Sequence, residues 1–203
     1  SADVLRAMEK DAGIALPERA PSVVAALMDR SSFTGWGVRT LASSEVRYNP
    51  MSYHNGSVWP HDNALIAAGF ARYGYRQEAA RIFEGLFAAS TYIDLRRLPE
   101  LFCGFRRQRN QGPTFYPVAC SPQAWAAAAP LSLIQSCLGL NFNPKKRTIM
   151  FDEPVMPAFL NTIALRRLVI GTETADVMLR RAGENVMVEV LNRQSGVRIM
   201  STS

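Results

Sequence analysis

The 203 residues are 48% hydrophobic and 20% charged, a balance that supplies a sizeable core and excludes disordered and fibrous chains. No run approaches the ~18 to 20 apolar residues of a membrane span. The start Ser1-Ala2-Asp3-Val4-Leu5-Arg6 also lacks the basic head and apolar stretch of a signal peptide, so no membrane partner and a cytoplasmic location are expected. The first residue is Ser1 rather than Met, as expected of a chain trimmed or cut from something longer.

Basic residues outnumber acidic ones by 23 to 17, and all but Lys10, Lys145 and Lys146 are arginine. Nucleic-acid binding requires such charge to gather on one face or segment. The densest run, Arg96-Arg97 to Arg106-Arg107 and Arg109, is interrupted by Leu98-Pro99-Glu100-Leu101-Phe102-Cys103, which reads as a buried structural segment, so no nucleic-acid partner is expected. Cys103, Cys120 and Cys137 are odd in number and widely spaced, which indicates reduced thiols rather than a disulfide framework. His54 and His61, with Asp62, lack a metal-ligand spacing, so neither a metal nor a cofactor is expected.

In chain order, residues 2 to 12 read as a helix with Val4, Leu5, Met8 and Ala12 on one face. A loop from Gly13 to Pro21 leads into a short second helix, with Pro21 just inside its start and Val24, Ala25, Leu27 and Met28 as its stripe. From Ser31 to Trp59, Gly35, Gly37, Pro50 and Gly56 forbid a long regular element, yet the segment carries Trp36, Tyr48, Tyr53 and Trp59. Such aromatic-rich loops usually carry function. Pro60 opens a helix whose Ala64-to-Ala71 run is apolar on every side. Gly74 ends it. A partner from about Arg76 to Ala89 turns Ala79, Ala80, Ile82, Phe83, Leu86 and Phe87 inward and Arg76, Glu78, Arg81 and Glu84 outward, making an antiparallel hairpin.

A second irregular stretch, Asp94 to Ser121, precedes a buried, alanine-rich helix from Pro122 to Leu138 with a proline, Pro130, inside it. Beyond Asn143 the pattern changes to short apolar and β-branched runs at Arg147–Phe151, Leu160–Ile170, Val177–Arg180, Val186–Val190 and Val197–Met200, separated by turn residues. The organisation expected is a helical segment over residues 1–142 and a small antiparallel sheet over 143–203, packed on it.

Both irregular loops precede apolar helices and so deliver their contents to the same end of a helical array. One brings Trp36, Tyr53, His54, Trp59, His61 and Asp62. The other brings Glu100, then Gln123 and Trp125. Ring faces suit the C–H faces of a sugar, while its hydroxyls need fixed donors and acceptors, so these residue types point to a carbohydrate pocket. The competing reading gives the tryptophans to the core, Glu100 to a salt bridge with a nearby arginine, and Asp62 to the dipole of the helix after Pro60.

The segments Gly35-Trp36-Gly37-Val38-Arg39-Thr40-Leu41, Tyr53-His54-Asn55-Gly56-Ser57-Val58-Trp59-Pro60-His61-Asp62-Asn63, Pro99-Glu100-Leu101-Phe102 and Pro122-Gln123-Ala124-Trp125 resemble the C-terminal part of bacterial glycogen-debranching, amylo-α-1,6-glucosidase-type glycoside hydrolases of the six-hairpin superfamily. The resemblance covers about residues 30 to 140, and the β-rich tail is also similar to the family's end. It implies a mainly α fold, the C-terminal portion of an (α/α)6 toroid followed by a small antiparallel sheet. It implies an oligosaccharide or glycogen-like polysaccharide as partner. Glu100 would be the general base of an inverting hydrolysis, with Trp36, Tyr53, His54, Trp59, His61, Asp62, Gln123 and Trp125 around the sugar, and Arg96, Arg97 and Arg106 near enough to favour a carboxylate.

In one respect the sequence departs from that family. The family's general acid is an aspartate in a Gly-Arg-Asp motif, and the motif is absent; Asp3, Asp11 and Asp29 bear no resemblance to it, and only Asp62 and Asp94 lie in loops. The chain alone is therefore expected to hydrolyse no glycoside. It is also too short to close a twelve-helix ring, so it should be a fragment that needs the missing N-terminal part of its parent and self-associates through the open seam. The alternative is a non-catalytic carbohydrate-binding or helical scaffold module.

Overall fold

The computed structural model describes residues 16–202. The helix predicted over residues 2 to 12, with Asp3 and Asp11, lies outside them. A single 3-10 turn, Pro17–Arg19, leads into α1 (Ala20–Met28), which has Pro21 in its first turn and buries Ala20, Val24 and Leu27. Ala25, expected in the stripe, is exposed. Helix α2 (Pro60–Arg72) begins at a proline whose fixed φ suits a first helical turn. Gly74, at a φ of 83°, then carries the chain through a three-residue turn into α3 (Arg76–Ser90), which packs along α2. Ala79, Ala80, Ile82, Phe83 and Leu86 face inward as expected. Phe87 is instead 40% exposed, and Arg76, expected outside, is buried.

Helix α4 (Ala124–Leu138) contains Pro130. It buries Ala126, Ala129, Leu133 and Cys137 and exposes Trp125 and Leu131, so it is amphipathic rather than buried throughout. The chain divides into two compact units after Ile134, inside α4. The second unit holds two three-stranded sheets. In one, β1 (Leu140–Asn143) pairs antiparallel with β2 (Thr148–Phe151), with Leu140 opposite Phe151. Strand β2 pairs parallel with β6 (Arg198–Ser201), with Ile149 opposite Ile199. In the other, β3 (Thr162–Ile170), β4 (Glu173–Ala182) and β5 (Asn185–Arg193) form a meander with Ile163 opposite Leu179 and Leu179 opposite Val188. Strand β3 bulges between Leu165 and Leu168, where Arg167 takes a φ of 54° and its backbone N–H is received by the Asp176 carboxylate at 2.6 Å. Ile149, Phe151, Val177, Leu179 and Val197 form the core of this unit.

These elements overturn the expectation of a mainly α toroid segment followed by one antiparallel sheet. The described residues hold four α-helices and six strands, and one pairing in the tail is parallel. Helical periodicity supports a hairpin only at α2 and α3. Segments 29–59 and 91–123 spend their glycines, prolines and aromatic residues on turns and single-residue β-bridges instead. The self-association expected through an open toroid seam loses its basis with the toroid.

What positions the site in the first unit is the stitching of those two segments. Arg39 bridges Val58, Val58 bridges Phe102, and Phe102 bridges Phe115. Val58 and Phe102 exchange backbone hydrogen bonds at 2.9 and 3.0 Å, and both are wholly buried. The approach is close enough that a Cβ on Gly104 would collide with the Gly56 carbonyl oxygen, which only glycine tolerates. Asn63, one turn into α2 and fully buried, pins the first segment to the helix. Its Oδ1 accepts the Val38 N–H at 2.7 Å, and its Nδ2 donates to the Val38 and Trp59 carbonyls at 3.0 and 2.9 Å. Arg39, also buried, donates to the Gly104 and Ser31 carbonyls, both at 2.8 Å, and its guanidinium lies over the Tyr48 ring. Burial pushes its pKa down.

Candidate active site

At the start of α2 a cavity of about 590 Å³ opens, lined by Thr40, Leu41, His54, Asn55, Trp59, His61, Asp62 and Trp125. Rings form its walls. His54 lies parallel to Trp59, with centroids 6.0 Å apart and planes within 6°. His61 stacks on Trp125 at 4.9 Å, and the two indoles meet edge to face at 6.3 Å. Trp59 is held from behind: its Nε1 donates to Ser57 Oγ at 2.9 Å and to the Tyr53 carbonyl at 3.2 Å. Trp125 is 44% exposed. A tryptophan this open, at the first turn of a helix, gains little by packing and leaves a ring face to the cavity.

Asp62 supplies the carboxyl group of the cavity wall. Burial pushes its pKa up, and His61, whose Nδ1 lies 3.0 Å from Oδ1, acts against that rise. Glu100 stands one layer back. It is 8% exposed and does not line the cavity. Tyr53 Oη donates to its Oε1 at 2.7 Å and the Cys120 N–H to its Oε2 at 3.3 Å, while the Glu100 N–H is received by the Cys120 carbonyl at 2.8 Å. Both carboxyl oxygens are thus used as acceptors, and the group is fixed in orientation. The Tyr53 ring stands edge-on to Trp59 at 4.9 Å and to Tyr116 at 5.6 Å, so the carboxylate is joined to the cavity wall through one phenol. The hydrogen bond to Glu100 pushes the Tyr53 pKa up to about 12.

The two loops do bring most of the sequence-predicted residues together: His54, Trp59, His61, Asp62 and Trp125 line one cavity, and Tyr53 and Glu100 lie behind it. Trp36 is placed elsewhere. It is 2% exposed, beside Tyr92 at 6.1 Å and beneath the Arg107 guanidinium at 4.6 Å. Gln123 immediately precedes α4, where its carbonyl accepts the Ala127 N–H; its side chain is not part of the lining. The partners of Glu100 are Tyr53 and Cys120, not the arginines at 96, 97 and 106. Sequence reading passed over Thr40, Leu41 and Asn55 in the lining, although all three lie within or beside the quoted motifs, and over Cys120, which no motif signals.

Parallel ring faces around a small hollow, with one half-buried carboxyl in the wall and a second fixed behind a phenol, match the alternating apolar and hydroxyl-bearing surface of a pyranose. That is how glycoside hydrolases build their pockets, and the chain is of that class. Residues 11–115 match the mannosylglycerate hydrolase MGH1-like glycoside hydrolase domain, and the chain belongs to that family. The match takes in Tyr53, Trp59, Asp62 and Glu100 and ends before Trp125. Compared with curated proteins, the chain gives no match. Among the described residues no helix is long and apolar enough to cross a membrane.

Proposed function

We propose that the chain carries the base side of an inverting glycosidase site for a short α-linked glycoside. Glu100 is the general base. In an inverting mechanism the base takes a proton from a water on the face of the sugar opposite the leaving group, about 6.5–9.5 Å from the acid. The base must be held, oriented and within reach of that water. The observation that carries this reading is the fixed Tyr53–Glu100 pair directly behind a ring-walled cavity. Trp59 and Trp125 take the sugar faces, and Asp62, His54 and His61 its hydroxyls.

A cavity of about 590 Å³ lies in the range of small-ligand pockets, which favours a compact glycoside over a branched polymer. Mannosylglycerate, named by the family's own description, is therefore the first substrate to test, and an α-1,6-linked glucoside such as isomaltose is the second. No Gly-Arg-Asp motif is present to supply the acid, so the chain by itself binds and does not cleave. The set-back position of Glu100 favours a second reading, a carbohydrate-binding role without catalysis.

Calorimetry with mannosylglycerate and isomaltose, followed by an assay for released glycerate or glucose, tests both. Saturable binding without turnover is expected of this chain. Restoration of turnover by the upstream part of the parent, and its loss in Glu100→Gln, separates the base from the binding-only role. Absence of binding by either sugar would overturn the site.

A further inference from the structure

A second cavity in the first unit, about 730 Å³, has a different chemistry. Arg30 follows α1, Arg81 lies on α3, and Arg106, Arg107 and Arg109 come from one loop; all five guanidinium-bearing residues line it. The other described lining residues are neutral, with no carboxylate among them, and none of the five arginines forms an ion pair among the described residues. Two of the five are seated on rings: Arg107 lies over Trp36 at 4.6 Å and Arg81 over Phe33 at 5.7 Å. The loop is tied to the facing segment by the Arg107 N–H, which donates to the Thr34 carbonyl at 2.9 Å. At Gly35, with a φ of 94°, a Cβ would stand 3.0 Å from the Arg107 Cβ, so the two backbones approach at a position suited to glycine.

Five like charges around one hollow repel one another and build a positive potential that an anion relieves. Guanidinium is also the side chain whose planar fork matches phosphate oxygens in pairs, and stacking on a ring leaves its N–H edge free to do so. We propose that this cavity binds a phosphate-bearing small molecule, apart from the ring-walled cavity and independently of its chemistry. Its size suits a small ligand, and its arginines, drawn from three separate segments, surround a compact anion rather than track along a polymer.

Pyrophosphate is the probe for the class; free phosphate and glucose 6-phosphate are separate arms that distinguish an inorganic from a sugar-borne source. Calorimetry should show one saturable site for pyrophosphate, and ligand should raise the melting temperature. Arg81→Gln and Arg109→Gln should each weaken binding by about tenfold or more, while Arg166→Gln, on β3, should leave it unchanged. Arg109→Gln serves if the Arg81 stem, which lies over Phe33, proves necessary for packing. No saturable binding at millimolar pyrophosphate would overturn the proposal. So would equal weakening in Arg166→Gln, or a single-stranded oligonucleotide that displaces pyrophosphate with much higher, steeply salt-dependent affinity.

Discussion

The Tyr53 hydroxyl lies 2.7 Å from Glu100 Oε1 across 47 residues of sequence, and this contact joins the two irregular segments at the point where the pocket is built. The Tyr53 pKa is pushed up to about 12 because its proton is held by the carboxylate. A raised folded-state value means that the contact stabilises the fold fully below the ordinary tyrosine range and is lost as pH rises through the folded value. In a chain labelled at the tyrosine ring carbons, the Tyr53 resonance should therefore stay unmoved to about pH 11. In Glu100→Gln the midpoint should fall toward its ordinary value, with burial still holding it somewhat above. A Tyr53 midpoint near that value in both proteins would dissolve the pair.

Asp62 shifts in the same direction, for a different reason and at lower pH. Its carboxyl is pushed up by burial, so the native state binds a proton more readily than the unfolded state, and stability falls as pH rises through the window between the two values. Asp62→Asn should raise the melting temperature at pH 7, and the gain should shrink as pH drops from the raised folded value into the ordinary carboxylate range. It should also weaken sugar binding. A gain that persists unchanged in acid would show that desolvation of the carboxylate is not its cause.

The two indoles of the cavity should separate in mutagenesis. Trp125, 44% exposed, offers a ring face worth about 0.5–1.5 kcal/mol in stacking, so Trp125→Ala should cost roughly threefold to tenfold in sugar affinity and little in stability. Trp59 is 8% exposed, with Nε1 hydrogen bonds behind it; Trp59→Ala should cost about 3–5 kcal/mol of folding free energy as well. Urea unfolding beside calorimetry distinguishes the two. Equal stability losses would contradict the placement of Trp125.

Asn63 should matter more than its type implies. Asn63→Ala leaves the buried Val38 N–H without its acceptor and should cost about 1–3 kcal/mol, read as a lowered urea midpoint with unchanged slope. Asn63→Asp keeps the acceptor but loses the two Nδ2 donations and should not restore full stability.

What the sequence made legible is what is local. Pro60 at a helix start, Gly74 at a helix end and the β-branched runs of the tail act within a few residues of themselves, and those elements formed where they were expected. The parallel pairing of β2 with β6 and the chain of single bridges from Arg39 to Phe115 depend on which distant residues meet, which periodicity does not encode. Trp36 and Trp125 show the same limit at the site. An indole serves a core or a sugar equally well, and only placement assigned the first to a bed for Arg107 and the second to the pocket wall. Arg39 was passed over because arginine is ordinarily a surface residue; here its donors satisfy loop carbonyls that a buried segment would otherwise leave without partners. Glu100 stands out by residue type and loop position, its role as base comes from the resemblance alone, and its restraint by Tyr53 and Cys120 is visible only in three dimensions.

The most direct test uses the three tryptophans as reporters. In a chain labelled at the indole nitrogen and titrated with mannosylglycerate, the Trp59 and Trp125 signals should shift together and saturate, while Trp36, seated beneath Arg107, should not move. Movement of Trp36 alone, or saturating ligand with no change at Trp59 and Trp125, would contradict the assignment of the ring-walled cavity as the sugar site.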